Sequence, residues 1–140
     1  MVRWFQRMTV FCPMGDFKKL DVWQVAHSLA CQVYRITSSF PKTEAYGLTS
    51  QLRRSAASIP TNIAEGCGRN GDPEFRRFVH ISLGSATELE YQLLLSRDIG
   101  LLDQATHSLL SDQSRRIQGM LAGLRRALGA KRSPKEANSQ

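Results

Sequence analysis

The chain has no long apolar run. No stretch of about 18 apolar residues occurs in it, which excludes a transmembrane helix. The alternation of apolar and polar residues that is typical of β-strands is also absent, so the sequence predicts an all-α fold. Cysteine is scarce, and Cys12, Cys31 and Cys67 lie too far apart to form a Cys-x-x-Cys pair. We therefore expect three reduced thiols in a cytoplasmic protein, with neither a disulfide nor a zinc site.

Motifs for catalysis are missing as well. Three histidines stand on separate segments: His27, His80 and His107. None belongs to a His-Glu-x-x-His zinc motif. Glu88 and Glu90 point to different faces of a helix, so they do not form a carboxylate pair. The glycine-rich stretch 66–71 lacks the Lys-Ser/Thr ending of a phosphate-binding P-loop. We predict no catalytic residue, no metal site and no cofactor, and hence no enzyme.

Acidic residues are few compared with basic ones. The chain has 12 Asp and Glu residues against 19 Lys and Arg residues, which gives a net charge of +7 and a pI near 9.8. This balance favours polyanionic partners, chiefly nucleic acid. The alternative is a solvated basic surface that only aids solubility.

Apolar residues recur at intervals of three and four along four segments, which is the spacing of one face of an α-helix. The four stripes are Val22, Val25, Ala26, Leu29, Val33, Ile36 and Phe40; Leu48, Leu52, Ala56, Ile59 and Ile63; Phe75, Phe78, Val79, Ser82, Ala86, Leu89 and Leu93; and Leu109, Ile117, Met120, Leu121, Leu124 and Leu128. Each stripe has to be buried against another helix. Helices of about 17 to 26 residues with short loops therefore predict an antiparallel up-down four-helix bundle over residues 17–129.

Capping residues, proline and glycine mark the ends of these helices. Three aspartates are predicted N-caps: Asp21, Asp72 and Asp103. Pro41 and five glycines are predicted to end the helices: Gly66, Gly68, Gly71, Gly100 and Gly129. Pro60 falls inside the second stripe, where proline costs about 3 kcal/mol. We therefore expect a kink at Pro60 and a helix that restarts near Asn62.

Both ends of the chain differ from the middle. Residues 1–16 fit no helical stripe, and we expect a disordered extension or a misassigned start, with Met14 as the second possible start. The apolar run 8–12 is too short for the core of a signal peptide. Residues 130–140 are polar and contain Pro134, which predicts a disordered tail.

One long string and several short pieces around it carry a resemblance to a known family. The string is Gln51-Leu-Arg-Arg-Ser-Ala-Ala-Ser-Ile-Pro-Thr-Asn-Ile-Ala-Glu-Gly66. The pieces are Phe17-x-x-Leu20-x-Val22-Trp23, Tyr46-Gly47-Leu48-Thr49 and Glu74-Phe75-x-x-Phe78. Together they resemble the signature of a bacterial four-helix-bundle family that includes the proteins encoded in intervening sequences of 23S ribosomal RNA genes. The resemblance covers residues 17–128.

The resemblance implies a small helical bundle that assembles into a ring, a homopentamer, and it brings no enzymatic activity with it. The chain is also distantly similar to the accessory proteins of diversity-generating retroelements, which implies binding of nucleic acid and of a protein partner. Analogy of fold does not by itself transfer function.

Four Arg-Arg doublets are the candidate nucleic-acid contacts. They are Arg53 and Arg54, Arg76 and Arg77, Arg115 and Arg116, and Arg125 and Arg126. Guanidinium groups bind phosphate through two parallel hydrogen bonds and stack on bases. No RNA-recognition, helix-turn-helix or basic-zipper motif accompanies them, so we expect binding driven by shape and charge. The alternative is that these arginines pair with acids across helices or subunits.

A polar stripe runs beside the apolar stripe of the second helix. Its members are Gln51, Ser55, Ser58, Asn62, Glu65 and Arg69. Asn62 and Glu65 are the candidates for a functional site within it. We favour a structural role for Ser58, Asn62, Glu65 and Arg69, as a helix cap and an interface network in which Arg69 pairs with Glu65.

The sequence as a whole favours a non-enzymatic, homo-oligomeric bundle that binds RNA or DNA and does not contact a membrane. Two alternatives stay open: a protein-interaction adaptor whose charge is incidental, and an enzyme that acts on ribosomal RNA. Five aromatic residues offer stacking surfaces for bases, but we interpret them as core or interface anchors: Trp23, Tyr34, Tyr46, Phe75 and Phe78.

Overall fold

A computed structural model describes residue 12 and residues 15–130 of the chain. Most of the expected N-terminal extension, and the expected tail beyond residue 130, therefore lie outside the described residues. Within residues 15–130 no helix is long and apolar enough to cross a membrane. The same part of the chain contains no β-strand, so the predicted all-α fold is confirmed.

Four α-helices form an antiparallel bundle. They are α1 (Asp21–Thr37), α2 (Leu48–Cys67), α3 (Asp72–Asp98) and α4 (Gln104–Ala130). Short 3₁₀-helices precede α1 at Phe17–Lys19 and precede α2 at Lys42–Glu44. Each helix packs on its neighbours in chain order, and α4 also packs on α1. We call the end where α1 and α3 begin the Gly71 end, and the opposite end the Asp103 end.

The core is made of the four predicted stripes, with one correction in α4. The largest fully buried side chains are Leu29, Leu52, Ile59, Ile63, Leu89, Leu93, Leu110, Ile117 and Leu121, together with three valines. In α4 the predicted Leu109 is 55% exposed, whereas Leu110 is 1% exposed. Leu110 lies seven residues before Ile117, and a spacing of seven keeps two side chains on the same face of a packed helix.

One of the three predicted aspartate caps is correct. The Thr106 amide donates to Asp103 Oδ1 at 2.7 Å, and this hydrogen bond lowers the pKa of the Asp103 carboxyl. The other two predictions are wrong, because each of these helices begins one residue earlier than expected. Leu20 takes the N-cap position of α1 and Gly71 that of α3, so Asp21 and Asp72 fall within the first helical turn.

Pro60 lies inside an uninterrupted helix, so the prediction of a restart near Asn62 is wrong. Helix α2 continues from Leu48 to Cys67, and Pro60 is buried. Thr61 and Asn62 do not cap a new helix. Their side chains donate backwards to carbonyl groups one turn earlier, Thr61 Oγ1 to Ala57 at 2.7 Å and Asn62 Nδ2 to Ser58 at 2.8 Å. Neighbouring side chains and packing hold the segment helical where the proline removes one amide donor.

The predicted glycine stops act in different ways. Gly100 closes α3 with a φ of +84°, and Gly71 precedes α3 with a φ of +89°, a region that glycine enters without strain. Gly68 takes the C-cap position of α2, as predicted, and has a right-handed backbone with a φ of −83°. Gly66 lies within α2, and α4 continues past Gly129 to Ala130. Gly66 and Gly129 do not end a helix. They allow residues of α3 to lie close to the backbones of α2 and α4.

The structure joins Cys12 and Cys67 in a disulfide, so the expectation of three reduced thiols is wrong for this pair. The two Cα atoms are 5.5 Å apart, which is a usual separation for such a bond. The cysteines are 55 residues apart in sequence, and they meet because α1 begins at the bundle end where α2 finishes. Cys31 on α1 is the free cysteine of the described residues.

Two buried threonines near the Asp103 end give a matched test of hydrogen bonding. Thr49 Oγ1 is buried and has no hydrogen-bond partner among the described residues, so we expect Thr49→Val to raise the free energy of unfolding by about 1 kcal/mol. Thr37 Oγ1 donates to the Val33 carbonyl at 2.7 Å and accepts from Arg53 Nε at 2.9 Å. Thr37→Val should therefore lower the same free energy by about 1 kcal/mol or more. Urea unfolding at one protein concentration measures both, and equal effects of the two substitutions would contradict this prediction.

Candidate nucleic-acid interface

The polar stripe of α2 faces α3 within the same chain. Ser58 Oγ lies 2.8 Å from Ser85 Oγ, and Asn62 Nδ2 donates to Ser58 Oγ at 2.9 Å. One turn towards the Asp103 end, Ser55 Oγ donates to Gln92 Oε1 at 2.5 Å, and both residues are buried. Buried polar groups need partners of this kind. Ser58 and Asn62 therefore belong to a network that connects α2 to α3.

Glu65 and Arg69 form the ion pair that their spacing predicts. Arg69 Nη2 lies 3.0 Å from Glu65 Oε1, and roughly half of each side chain is exposed. The Arg69 guanidinium also lies over the Phe78 ring, 5.5 Å from its centroid. An exposed pair of this type stabilises a helix end by only about 0.3–0.5 kcal/mol. Glu65 and Arg69 therefore form a local ion pair on the surface at the Gly71 end.

Two of the eight doublet arginines pair with glutamates within the part of the chain that the structure describes. Arg77 lies 3.3 Å from Glu74, and Arg115 on α4 lies 3.0 Å from Glu90 on α3. Hydrogen bonds from Gln118 and Arg115 lower the pKa of the Glu90 carboxyl, and a hydrogen bond from Arg77 lowers the pKa of the Glu74 carboxyl. The charges of Arg77 and Arg115 are thus offset locally, as the alternative interpretation of the doublets expects.

The first doublet lies apart from the others. Arg53 Nε donates to Thr37 Oγ1 at 2.9 Å, and its guanidinium lies 4.9 Å from the centroid of the Tyr34 ring. Arg53 therefore ties the start of α2 to the end of α1, near the Asp103 end. Arg54 beside it is exposed.

The seam between α3 and α4 brings two arginines together near the Gly71 end. Arg76 Nε donates to the Arg125 carbonyl at 3.3 Å, and Arg125 Nη1 lies 2.8 Å from His80 Nδ1. Gly129 permits this approach, because a Cβ at its position would lie 3.1 Å from Arg76 Nε. We call Arg76, His80, Arg125 and the exposed neighbour Arg126 the seam cluster.

Within residues 15–130, the seam cluster gathers arginines without acidic partners at one place on the surface. Among the described residues, none of the arginines in the seam cluster forms an ion pair. The sequence continues from Ala130 with Lys131 and Arg132, which adds positive charge directly after α4. Guanidinium groups without a carboxylate partner are suited to binding phosphate oxygens. Arg116 is also exposed and unpaired within residues 15–130, but it lies elsewhere on α4.

The five aromatic residues divide into buried and exposed groups. Phe75 and Phe78 are buried, which agrees with their interpretation as core anchors. Tyr34 is 47% exposed and Tyr46 fully exposed, so neither is part of the core. The Trp23 ring is partly buried and stacks on His27, with ring centroids 4.9 Å apart.

Two histidine contacts were not anticipated from the sequence. His80 meets Arg125 across the seam, 45 residues away, and no local pattern indicates such a pair. His27 Nε2 lies 3.7 Å from Cys31 Sγ, and here the spacing of four residues on one helix was a usable signal. Within the described residues no group of three or more ligating side chains is placed to hold a metal ion.

Comparison with known proteins identifies related sequences and folds. The family model described as 23S rRNA-intervening sequence protein matches residues 18–123. A crystal structure of a protein of unknown function from the S23 ribosomal protein family of Bacteroides thetaiotaomicron has the same fold, with a TM-score of 0.67. It is 22% identical, and the match covers 74% of this chain and 96% of that one. No curated protein sequence matches this chain.

Proposed function

Because the chain belongs to the family of 23S rRNA-intervening sequence proteins, we propose that it is a non-enzymatic, homo-oligomeric helical bundle that binds RNA or DNA through arginine. The observation that supports this proposal is the seam cluster, where Arg76 and Arg125 meet without an acidic partner among the described residues. Phosphate contacts carry no sequence information, so binding would follow the backbone of the nucleic acid.

The outer surface of α3 supports the oligomeric part of the proposal. Ile81 is 40% exposed, Tyr91 61% and Leu94 38%, although each belongs to a well-formed helix. Ile81, Gly84, Glu88 and Tyr91 follow one another at intervals of three and four residues. Ile81 and Tyr91 therefore lie on the same face of α3. A second copy of the chain is the occupant that we propose for this face. A ring of copies would repeat the seam cluster around its axis and increase its attraction for a polyanion.

A salt titration tests the nucleic-acid proposal. Fluorescence anisotropy with a labelled RNA hairpin and a labelled DNA duplex should show binding at low salt that weakens as salt rises. Arg76→Gln together with Arg125→Gln should lower the affinity at least tenfold and reduce the slope of log K against log salt by about one for each phosphate that the variant no longer neutralises. Arg53→Gln together with Arg54→Gln removes the same charge at the Asp103 end and should change affinity less than threefold.

Each negative result of these experiments would refute a different part of the proposal. Absence of binding to both probes at low salt would refute nucleic-acid binding and favour the adaptor, provided that light scattering still gives an oligomer. Equal decreases in affinity for the two double variants would refute the seam cluster as the binding site. A mass equal to the 15.7 kDa of one chain would refute the oligomer. Cleavage of the RNA probe that a chelator abolishes would favour the enzyme instead.

A further inference from the structure

An open apolar groove of about 670 Å³ lies between α1 and α2. Its α1 side carries His27 and Cys31, and its α2 side carries Pro60, Thr61 and Ala64. A groove of this volume and character is suited to a small apolar molecule. It lies on a different helix pair from the seam cluster, so it is independent of the function proposed above.

The free thiol of the described residues lines this groove beside an imidazole. Cys31 Sγ lies 3.7 Å from His27 Nε2, within range of a hydrogen bond from sulfur. Cys31 is partly exposed, and His27 is exposed, so both atoms are accessible from the groove. A cysteine and a histidine within hydrogen-bonding reach are the arrangement that activates a thiol nucleophile.

A third residue orients the imidazole beside the thiol. The Trp23 ring stacks on His27 with an angle of 6° between the two planes, which holds the imidazole next to Cys31. Arg35 and Tyr34 are the other charged or titratable groups on the α1 side of the groove, and the residues of α2 that line the groove carry no charge. Cys31, His27 and Trp23 thus form a fixed arrangement of a thiol, a base and a group that orients the base.

We propose that Cys31 is a nucleophilic thiol that forms covalent adducts with planar, apolar α,β-unsaturated carbonyl compounds bound in this groove. His27 Nε2 takes the thiol proton, and Cys31 Sγ forms a bond with the β-carbon of the bound compound. The electron pair of the carbon–carbon double bond moves towards the carbonyl group, and the enolate that results takes the proton back from His27 at its α-carbon. The step adds the thiol across the double bond and needs no oxidant or reductant.

Maleimides test this proposal, because they are α,β-unsaturated carbonyl compounds that differ in their nitrogen substituent. The rate of adduct formation at Cys31 is measured by peptide mass spectrometry with N-phenylmaleimide and with N-ethylmaleimide, each relative to N-acetylcysteine. We expect the relative rate for the phenyl compound to exceed that for the ethyl compound at least fivefold. His27→Gln should lower both rates at least tenfold at pH 6 to 7, and less at pH 9, where thiolate forms without a base.

Two substitutions in the groove test the binding of the compound separately from the activation of the Cys31 thiol. Ala64→Met fills the groove, and Thr61→Gln does so from an exposed position in case the first variant is poorly folded. Either one should remove the preference for the phenyl compound, because it lowers the rate with N-phenylmaleimide more than the rate with N-ethylmaleimide. The proposal is refuted if His27→Gln leaves the rates unchanged, or if native Cys31 shows no preference for the phenyl compound.

Discussion

Gly66→Ala is expected to lower the free energy of unfolding by about 2 kcal/mol, the largest effect that we expect from adding a single methyl group. A Cβ at position 66 would lie 2.6 Å from Phe78 Cβ. Phe78 Cβ is fixed to the backbone of α3, so it cannot move aside as the end of a long side chain can. The two helices would have to separate, and that cost exceeds the gain of about 1 kcal/mol that alanine brings to a helix interior.

Gly119→Ala is the matched control for this prediction. Gly119 lies within α4 and is exposed, and a Cβ at its position would have no atom within 4 Å beyond its own helix backbone and chain neighbours. We expect this substitution to raise the free energy of unfolding by about 0.5–1 kcal/mol. Urea unfolding followed by circular dichroism at one protein concentration measures both variants. Similar stability of the two would show that α2 and α3 do not approach as closely as the structure indicates.

The second large effect is expected at the buried pair of Ser55 and Gln92. Ser55→Ala should lower the free energy of unfolding by about 2 kcal/mol. The reason is that Gln92 Oε1, which accepts from Ser55 Oγ at 2.5 Å, would keep no donor among the described residues. Gln92 is only 5% exposed, so water cannot readily replace the hydroxyl. The amide nitrogen of Gln92 already donates to Glu88 Oε1 at 3.1 Å.

A double variant separates the effect of the hydrogen bond from the effect of packing. Ser55→Ala combined with Gln92→Leu removes both partners, and we expect it to recover most of the stability that Ser55→Ala loses. Ser38→Ala is the control, because Ser38 donates to the Tyr34 carbonyl at 2.8 Å but is exposed. It should change stability by less than about 0.5 kcal/mol. A double variant as unstable as the sum of the single variants would contradict coupling between the two residues.

Local patterns predicted the elements of this fold well. The spacing of apolar residues located all four helices, because a helix repeats every 3.6 residues whatever its neighbours are. Asp103 was predicted correctly as a cap, since its partner amide is only three residues away. Asp21 and Asp72 follow the same pattern, but the helices there begin one residue earlier. The local sequence therefore predicts that a helix begins near each of these aspartates. The exact first residue of the helix depends on its packing in the bundle.

Contacts between helices could not be predicted in the same way. Arg76 and Arg125 are 49 residues apart, and Cys12 and Cys67 are 55 apart. Each pair meets only because of the rotation of two helices about their axes and their relative height. Eight arginines in four similar doublets carry no signal in the sequence that separates Arg76 and Arg125 from Arg53, which is bound to Thr37.

The sequence by itself determined the all-α class, the number of helices, the stripe that each helix buries and the family to which the chain belongs. These properties depend on residues within a few turns of one another. Only the tertiary structure decided which arginines meet at the seam, why position 66 has no side chain, and that a thiol and an imidazole share an open groove. Those properties depend on how closely the helices approach, which the packing of the whole core sets.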